Sequence, residues 1–311
     1  MRQARILPYS EAAIAEAARL VAAGRPVAMP TETVYGLAAD ATRGDAVAAI
    51  YAAKGRPSFN PLIVHVLDLA AADAIAELPA AARKLAEAFW PGPLTLVAPL
   101  KPGAPIAALA TAGLPTIALR SPAHPAMRDL LQVSGKPLAA PSANASGAIS
   151  PTRAEHVAHS LGAAIDLIID AGPTAVGLES TIVTVTGDGL HLLRPGPIAV
   201  EQLTEVTGLP VHTDMPDTIT APGQLAQHYA PSKPVRLDAT DAQDGEWLIG
   251  FGAVVGDASL SPSGDTAEAA ARLFDLLHQA DTASASRIAV AHVPDTGLGV
   301  AINDRLRRAA A

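Results

Sequence analysis

Residues 30–65 read PTETVYGLAADATRGDAVAAIYAAKGRPSFNPLIVH, and their order decides the fold. A strand exit bearing Thr31, Thr33 and Tyr35 leads to a helical segment over 45–53 and then to Lys54-Gly55-Arg56-Pro57. Asn60-Pro61-Leu62 then opens the apolar run 62–67, which the pattern predicts as a buried strand. Strand, helix and strand in succession point to an α/β architecture. Within it, Lys54 and Arg56 flank a glycine, so two positive charges converge where the backbone has little bulk. Arginine offers a planar fork to phosphate oxygens and lysine a mobile point charge, a pairing suited to a polyphosphate. Taken alone, the same residues suit a solvated helix end, where cations complement the helix dipole. The hydroxyl-rich turn before them and the NPL turn after them favour a site.

Composition bounds the alternatives. The 311 residues are half hydrophobic and 17% charged, which fits a globular chain with room for more than one domain. A formal net charge of -8 supplies no global basic field of the kind nucleic-acid binders carry, leaving only a local basic pocket. The absence of cysteine excludes disulfides, thiolate zinc sites and a cysteine nucleophile. No apolar run approaches a membrane span and the N-terminus lacks a long apolar core, so the expectation is a soluble, cytoplasmic protein.

Outward from the central stretch, Ser10 is a candidate N-cap for a helix ending near Gly24, and Val27-Ala28-Met29 a short buried strand. Downstream, a helix over 79–89 stops at Trp90-Pro91-Gly92-Pro93, strands cover 94–98 and 116–119, and a helix covers 124–133. A short strand then breaks into Pro141-Ser142-Ala143-Asn144, whose small polar groups let a ligand approach the backbone closely. Thr152-Arg153-Ala154-Glu155 reads as a capping box. Segments 180–186 and 190–193 read as a hairpin delivering Arg194 to its end. Five proline residues punctuate 208–234, read as a stiffened linker that doubles as a lid, between a domain over 1–207 and a small parallel α/β domain over 235–311. In the latter, Asp265 and Glu268 are candidate caps of a helix starting at Thr266.

Five polar turns, each expected at the end of a strand, thus carry Thr33 and Tyr35; Lys54, Arg56 and Asn60; Arg120; Ser142 and Asn144; and Ser180 and Arg194. Strand ends sharing a sheet edge would gather them into a pocket with four cations, several hydroxyls and no carboxylate cluster. No protein cage for a metal is visible, so magnesium is expected to arrive only through substrate phosphates. Ser142 lacks the G-x-S-x-G elbow and evident His/Asp partners, which argues against a hydrolase.

In this order, PTETVYGL, KGRP with NPL, FWPGPLT, TIALR, PSAN, ESTIV and LRPG resemble the YrdC-like L-threonylcarbamoyladenylate synthases. SPSGD at 261–265 and TGLGVAINDRLRRA at 296–309 are similar to the family's long form, which carries an extra C-terminal domain. The resemblance implies a twisted, open mixed-sheet YrdC-like catalytic domain and a small Rossmann-like parallel α/β C-terminal domain. It also implies a nucleotidyltransferase that condenses L-threonine, bicarbonate or CO2 and ATP into threonylcarbamoyl-AMP and pyrophosphate. That product would feed t6A37 modification through downstream tRNA threonylcarbamoyl-transfer machinery, with any contact to tRNA weak or indirect.

Carried onto this chain, the resemblance gives Lys54, Arg56, Asn60, Thr116, Ser142, Asn144, Ser150, Arg194 and Tyr229 to ATP, with Lys54 and Arg56 catalytic. It gives Thr33, His65, Arg120, the backbone at Ala140 and Ser180 to threonine and its carbamoyl group. His228, beside Tyr229, is set aside as incidental. Two rivals fare worse: an RNA-binding module is opposed by the net charge, and carbamoyl transfer in hydrogenase maturation by the missing cysteine-rich zinc modules.

Overall fold

The short apolar runs become strands because each is bounded by glycine, proline or hydroxyl residues and is too brief for a buried helix. The computed structural model describes residues 3–57, 59–214 and 228–311. In chain order it begins with β1 (Arg5–Pro8), α1 (Glu11–Ala22), β2 (Val27–Met29), β3 (Gly36–Asp40), α2 (Gly44–Lys54) and β4 (Ile63–His65). Next come α3 (Leu69–Asp73), α4 (Ala80–Phe89), β5 (Leu94–Pro99), β6 (Thr116–Arg120), α5 (Pro125–Ser134) and β7 (Leu138–Ala139). After them run α6 (Ala154–Leu161), β8 (Leu167–Asp170), β9 (Thr181–Thr186), β10 (Gly189–Arg194), α7 (Val200–Thr207) and β11 (Val211–His212). The remainder is β12 (Val235–Ala239), β13 (Glu246–Gly250), β14 (Ala258–Ser259), α8 (Thr266–Thr282), β15 (Arg287–Ala291) and α9 (Leu298–Ala309).

The first eleven strands form one mixed sheet in the order β1-β8-β2-β3-β7-β4-β6-β5-β9-β10-β11. β12-β15-β13-β14 form a separate sheet whose pairings are all parallel. Both the mixed sheet and the smaller parallel unit therefore match the architecture expected from sequence. Register does the work of assembly. His65 pairs with Arg120 across β4 and β6, and Gly36 with Ser142 beside β3 and β7. Leu94 of β5 pairs with Thr181 of β9, and from this end Ser180 reaches diagonally to the Thr95 hydroxyl.

Ser10 caps α1 by accepting from the Ala13 amide, and Asp265 caps α8 by accepting from Ala267 and Glu268. The Glu268 carboxylate instead accepts from Ser261 Oγ at 2.6 Å, a bond that fixes the SPSGD turn. The expected capping box at Thr152 does not form. Arg153 is the N-cap of α6 with no side-chain cap bond, and Thr152 accommodates His156 Nδ1 through its backbone N–H at 3.3 Å. Within the segment expected to be a linker, Val211–His212 extend the large sheet beside β10, while Gln224 to Gln227 lie outside the described residues.

One apolar cluster spans the two halves. Val34, Ile149 and Leu178, which precede or follow strands of the large sheet, join one apolar cluster with Tyr229, Phe274, Leu277 and Ile302. Gly177 sits so tightly against α8 that a Cβ there would lie 2.4 Å from the Ala270 carbonyl oxygen. Among the described residues, no helix is long and apolar enough to cross a membrane.

Candidate active site

α2 ends in a way that explains the K-G-R spacing. Gly55 takes φ +59, the Arg56 N–H returns to Tyr51 O at 3.0 Å and the Gly55 N–H to Ala52 O at 3.3 Å, a Schellman closure. This reverses the chain so that Lys54 and Arg56 both point inward rather than into solvent. The cations thus leave from a helix end, not from a strand end as expected. Lys54 Nζ donates to Ser142 O at 2.6 Å and Asn144 O at 2.5 Å, fastening the PSAN turn from beneath. Arg56 Nη2 donates to Pro61 O at 3.0 Å, and its guanidinium lines a cavity at the heart of the large sheet.

That cavity gathers most of the residues singled out in the sequence. Its walls include Thr33, His65, Arg120, Ala140, Ser142, Arg194 and Tyr229, joined by Thr31, Glu179 and His228. Arg120 Nη1 donates to Thr33 Oγ1 at 2.8 Å, its Nε to Gly92 O at 3.2 Å, and its Nη2 to Glu32 Oε1 at 2.5 Å. Arg194 clasps Ser180, donating through Nε and Nη2 to the carbonyl oxygen at 3.1 and 2.9 Å and through Nη2 to Oγ at 3.0 Å. Ser180 Oγ also lies 2.7 Å from Thr95 Oγ1. Ala140 lines the cavity, but its N–H is committed to Ile63 O at 3.0 Å and is not free for a ligand.

Other expected residues stand back from the wall. Asn60 and Asn144 are buried, each with an amide oxygen lacking a partner among the described residues. Ser150 is fully buried and donates to Glu179 Oε1 at 2.5 Å. Thr116 opens β6 at the end opposite Arg120, paired with Pro99, about 13 Å along the strand at the usual rise per residue.

Electrostatically the cavity is short of negative charge. Burial lowers the Arg194 guanidinium and pulls Arg56 down to about 10. Burial, aided by Arg56, holds the Lys54 ammonium well below its ordinary value. Among the described residues neither Arg56 nor Arg194 has a carboxylate within ion-pair reach, whereas Arg120 has Glu32. His65 is buried, neither ring nitrogen has a hydrogen-bond partner among the described residues, and burial together with Arg120 keeps it neutral. His228 is pushed down to about 3 by burial, and its Nδ1 has no partner among the described residues. Tyr229 takes a left-handed φ of +65, and its buried hydroxyl likewise has no partner among the described residues. Buried polar atoms without partners are costly, so several of them around one cavity mark where a ligand supplies the missing bonds.

Sequence reasoning missed Glu32, Glu179 and Arg305. All three lie inside motifs already singled out, PTETVYGL, ESTIV and TGLGVAINDRLRRA, the two acids as lone carboxylates among hydroxyl and apolar residues. That isolation was the available signal, since a lone acid in such a run needs a cation. Glu32 carries burial that raises its carboxyl, offset by Arg120, which leaves it below the ordinary range. Among the described residues, the side chains that come close enough together to hold a metal are Asp188, His191 and His212, at the hairpin tip opposite Ser180 and Arg194. The acid in the cavity wall and the one beside Arg120 are both engaged: Glu179 with Ser150 and Arg305, and Glu32 with Arg120 and the Ala123 N–H.

The Sua5/YciO/YrdC family model, described as telomere recombination, matches residues 19–196, and the threonylcarbamoyl-AMP synthase C-terminal domain model matches 198–311. A threonylcarbamoyl-AMP synthase from Bacillus subtilis is 42% identical over 98% of this chain and 94% of its own. One from Pyrococcus abyssi is 41% identical over 94% of this chain and 92% of its own. A shorter putative one from Mycobacterium tuberculosis is 41% identical but matches only 63% of this chain, with 89% of its own length covered. Among solved structures, P. abyssi Sua5 complexed with L-threonine superposes with a TM-score of 0.90 at 38% identity, over 98% of this chain and 97% of that one. Full-length HypF, at 19% identity and a TM-score of 0.53, shares the fold alone over 61% of this chain and 30% of its own. With both halves matched in register over nearly the full length, this chain belongs to the Sua5/YciO/YrdC family in its two-domain, threonylcarbamoyl-AMP synthase form.

Proposed function

We propose that this protein is a nucleotidyltransferase that condenses L-threonine, bicarbonate or CO2 and ATP into threonylcarbamoyl-AMP, releasing pyrophosphate. The observation that carries the reading is the cavity's uncompensated charge: Arg56 and Arg194 are buried, face one space and have no carboxylate partner among the described residues. Such a pair is stable in company with a polyanion, and a triphosphate supplies one. Arg120, with two of its five N–H groups uncommitted, suits the threonine carboxylate, while Thr33 and Ser180 border the amino-acid side chain.

In this scheme the threonine amine and CO2 form a carbamate, whose oxygen attacks the α-phosphorus of ATP as the bond to the pyrophosphate oxygen breaks. Negative charge spreads over phosphoryl oxygens, so positioning and fixed cations carry the acceleration, with no covalent protein intermediate. His65, kept neutral, is suited to hydrogen-bonding the carbamoyl group rather than to shuttling a proton. Lys54 acts through the PSAN turn that it fastens, bringing Ser142 to the ligand. Asn60, Asn144, Ser150 and Thr116 are assigned to the nucleotide's outer contacts, and Tyr229 to its cover. Magnesium fits as a passenger on the phosphates, neutralising charge there, because the nearby protein carboxylates are already paired. The division into units over 1–207 and 235–311 with a covering segment between, and delivery of the product to tRNA-modifying machinery, belong to the same proposal.

Pyrophosphate release tests the reading, with threonine, bicarbonate and ATP each omitted in turn. Release is expected only when all three are present. Release that persists without threonine or without bicarbonate would refute it.

A further inference from the structure

Arg305 is the largest fully buried side chain among the described residues, although it belongs to α9 of the smaller unit. It reaches out of that unit. Its Nε donates to Glu179 Oε2 at 2.8 Å, its Nη2 to Pro195 O at 3.0 Å, and its guanidinium carbon lies 5.2 Å from the centre of the Tyr229 ring. Its Nη1 donates to Asp304 Oδ2 at 2.6 Å, so Arg305 keeps an anion of its own.

Glu179 is the odd member of the cavity. It lines a space whose other ionic walls are Arg56, Arg120 and Arg194, and a bare carboxylate there would repel a polyanion. It would also compete for Arg194. The Arg194 guanidinium uses Nε and Nη2 on Ser180 alone, which leaves its Nη1 N–H groups without a partner among the described residues. Glu179 does not pair with Arg194, because Arg305 and Ser150 each take one of its oxygens.

We propose that Arg305 is a positioning residue that masks Glu179, so that Arg194 stays free for the polyphosphate and the C-terminal unit sets the anion affinity of the site. The inference rests on the polyphosphate reading given above. Burial raises the Glu179 carboxyl, but Arg305 and then Arg194 outweigh it and keep the group ionised, which is why masking is needed. A simple clasp between the two units would need the same ion pair but would not care about the sign of charge left in the cavity.

That difference gives the test, read as pyrophosphate affinity by calorimetry on the full-length protein, with threonine affinity measured alongside. Arg305→Met is expected to weaken pyrophosphate binding by about tenfold or more, since it strands a buried carboxylate beside the ligand. Adding Glu179→Gln to that variant is expected to restore most of the affinity although the ion pair is still missing. Glu179→Gln alone, which keeps the side chain's shape and removes a charge that is already masked, is expected to bind pyrophosphate at least as tightly as wild type, and it keeps the test open if Arg305→Met does not fold. Threonine affinity should move little in all three. A double variant no better than Arg305→Met, or a Glu179→Gln variant that binds pyrophosphate several-fold more weakly than wild type, overturns the masking role. A wild-type protein that binds neither pyrophosphate nor ATP overturns the polyphosphate reading, and the masking role with it.

Discussion

Replacing Arg120 is the sharpest test of where the amino acid sits. Of the guanidinium's five N–H groups, one goes to Gly92 O, one to Thr33 Oγ1 and one to Glu32 Oε1, which leaves two for a carboxylate. A hydrogen bond to a charged group contributes about 1.5–3 kcal/mol, so losing one such contact corresponds to about 10- to 150-fold in threonine affinity. Arg120→Ala does more than remove it. Glu32 is nearly buried and would be left with the Ala123 N–H at 3.1 Å as its remaining partner, an anion facing an anionic substrate. The expected order of threonine KM is therefore wild type, then Arg120→Lys, then Arg120→Ala, with the alanine variant at or beyond the upper end of that range. Combining Glu32→Gln with Arg120→Ala should recover part of the loss. The assay is pyrophosphate release at varied threonine with ATP and bicarbonate saturating, repeated at varied ATP. Equal rises in KM for threonine and ATP, or an unchanged threonine KM, would refute the placement.

Lys54 and Arg56 should separate in kind. Lys54→Met leaves two buried carbonyls without their donor and is expected to lower both Tm and pyrophosphate affinity, at about 1–3 kcal/mol per stranded group. Arg56→Gln is expected to lower affinity with Tm close to wild type; matching losses of Tm in both variants would contradict this. A bound polyanion should raise the depressed Lys54 and Arg56 values, the latter near 10, so binding at pH 9 should take up protons. Calorimetry in two buffers of different ionisation enthalpy reads that uptake directly, and proton release would count against the charge assignment. Glu32 is held below its ordinary value of 4.5, so its contribution to stability is complete above that value and lost as pH falls through the lower folded-state value. The stability gap between wild type and Glu32→Gln should accordingly be open at pH 7 and shrink on acidification below about 4.5; melts across that range would expose a gap that does not change.

Much of this was legible because the informative residues are punctuation. Glycine at 55, prolines around 91 and 141, and hydroxyls at strand exits fixed where the chain turns, and those turns bring Thr33, Arg120, Ser142 and Arg194 to one cavity. β3 was harder to see, since GLAAD has alanine and glycine where strands usually carry branched residues, and burial between β2 and β7 overrides that weak propensity. β1 is an edge strand of four mostly exposed residues, so it shows no apolar run. Thr152 looked like a cap from spacing alone, but spacing cannot reveal that His156 would occupy its amide. His228 appeared incidental because a histidine in a proline-broken stretch has no period to place it, yet it forms part of the cavity wall. Arg305 lies far from ESTIV in sequence, and no local pattern announces a pairing across 126 positions.

The apolar cluster shared between the two halves has an evolutionary corollary. A chain that ended near residue 207 would not lose an appendage; it would turn Val34, Ile149 and Leu178 outward to water, each formerly 6% exposed or less. Burying a side chain of that size is worth about 1.5–3 kcal/mol, so the exposed trio would form a sticky patch next to the catalytic cavity. Relatives of the shorter kind, such as the mycobacterial protein, are expected to carry small or polar residues at these three positions, or a second copy of themselves laid over them. In the long form the same surface has become a seam, and drift in either half is answerable to the other.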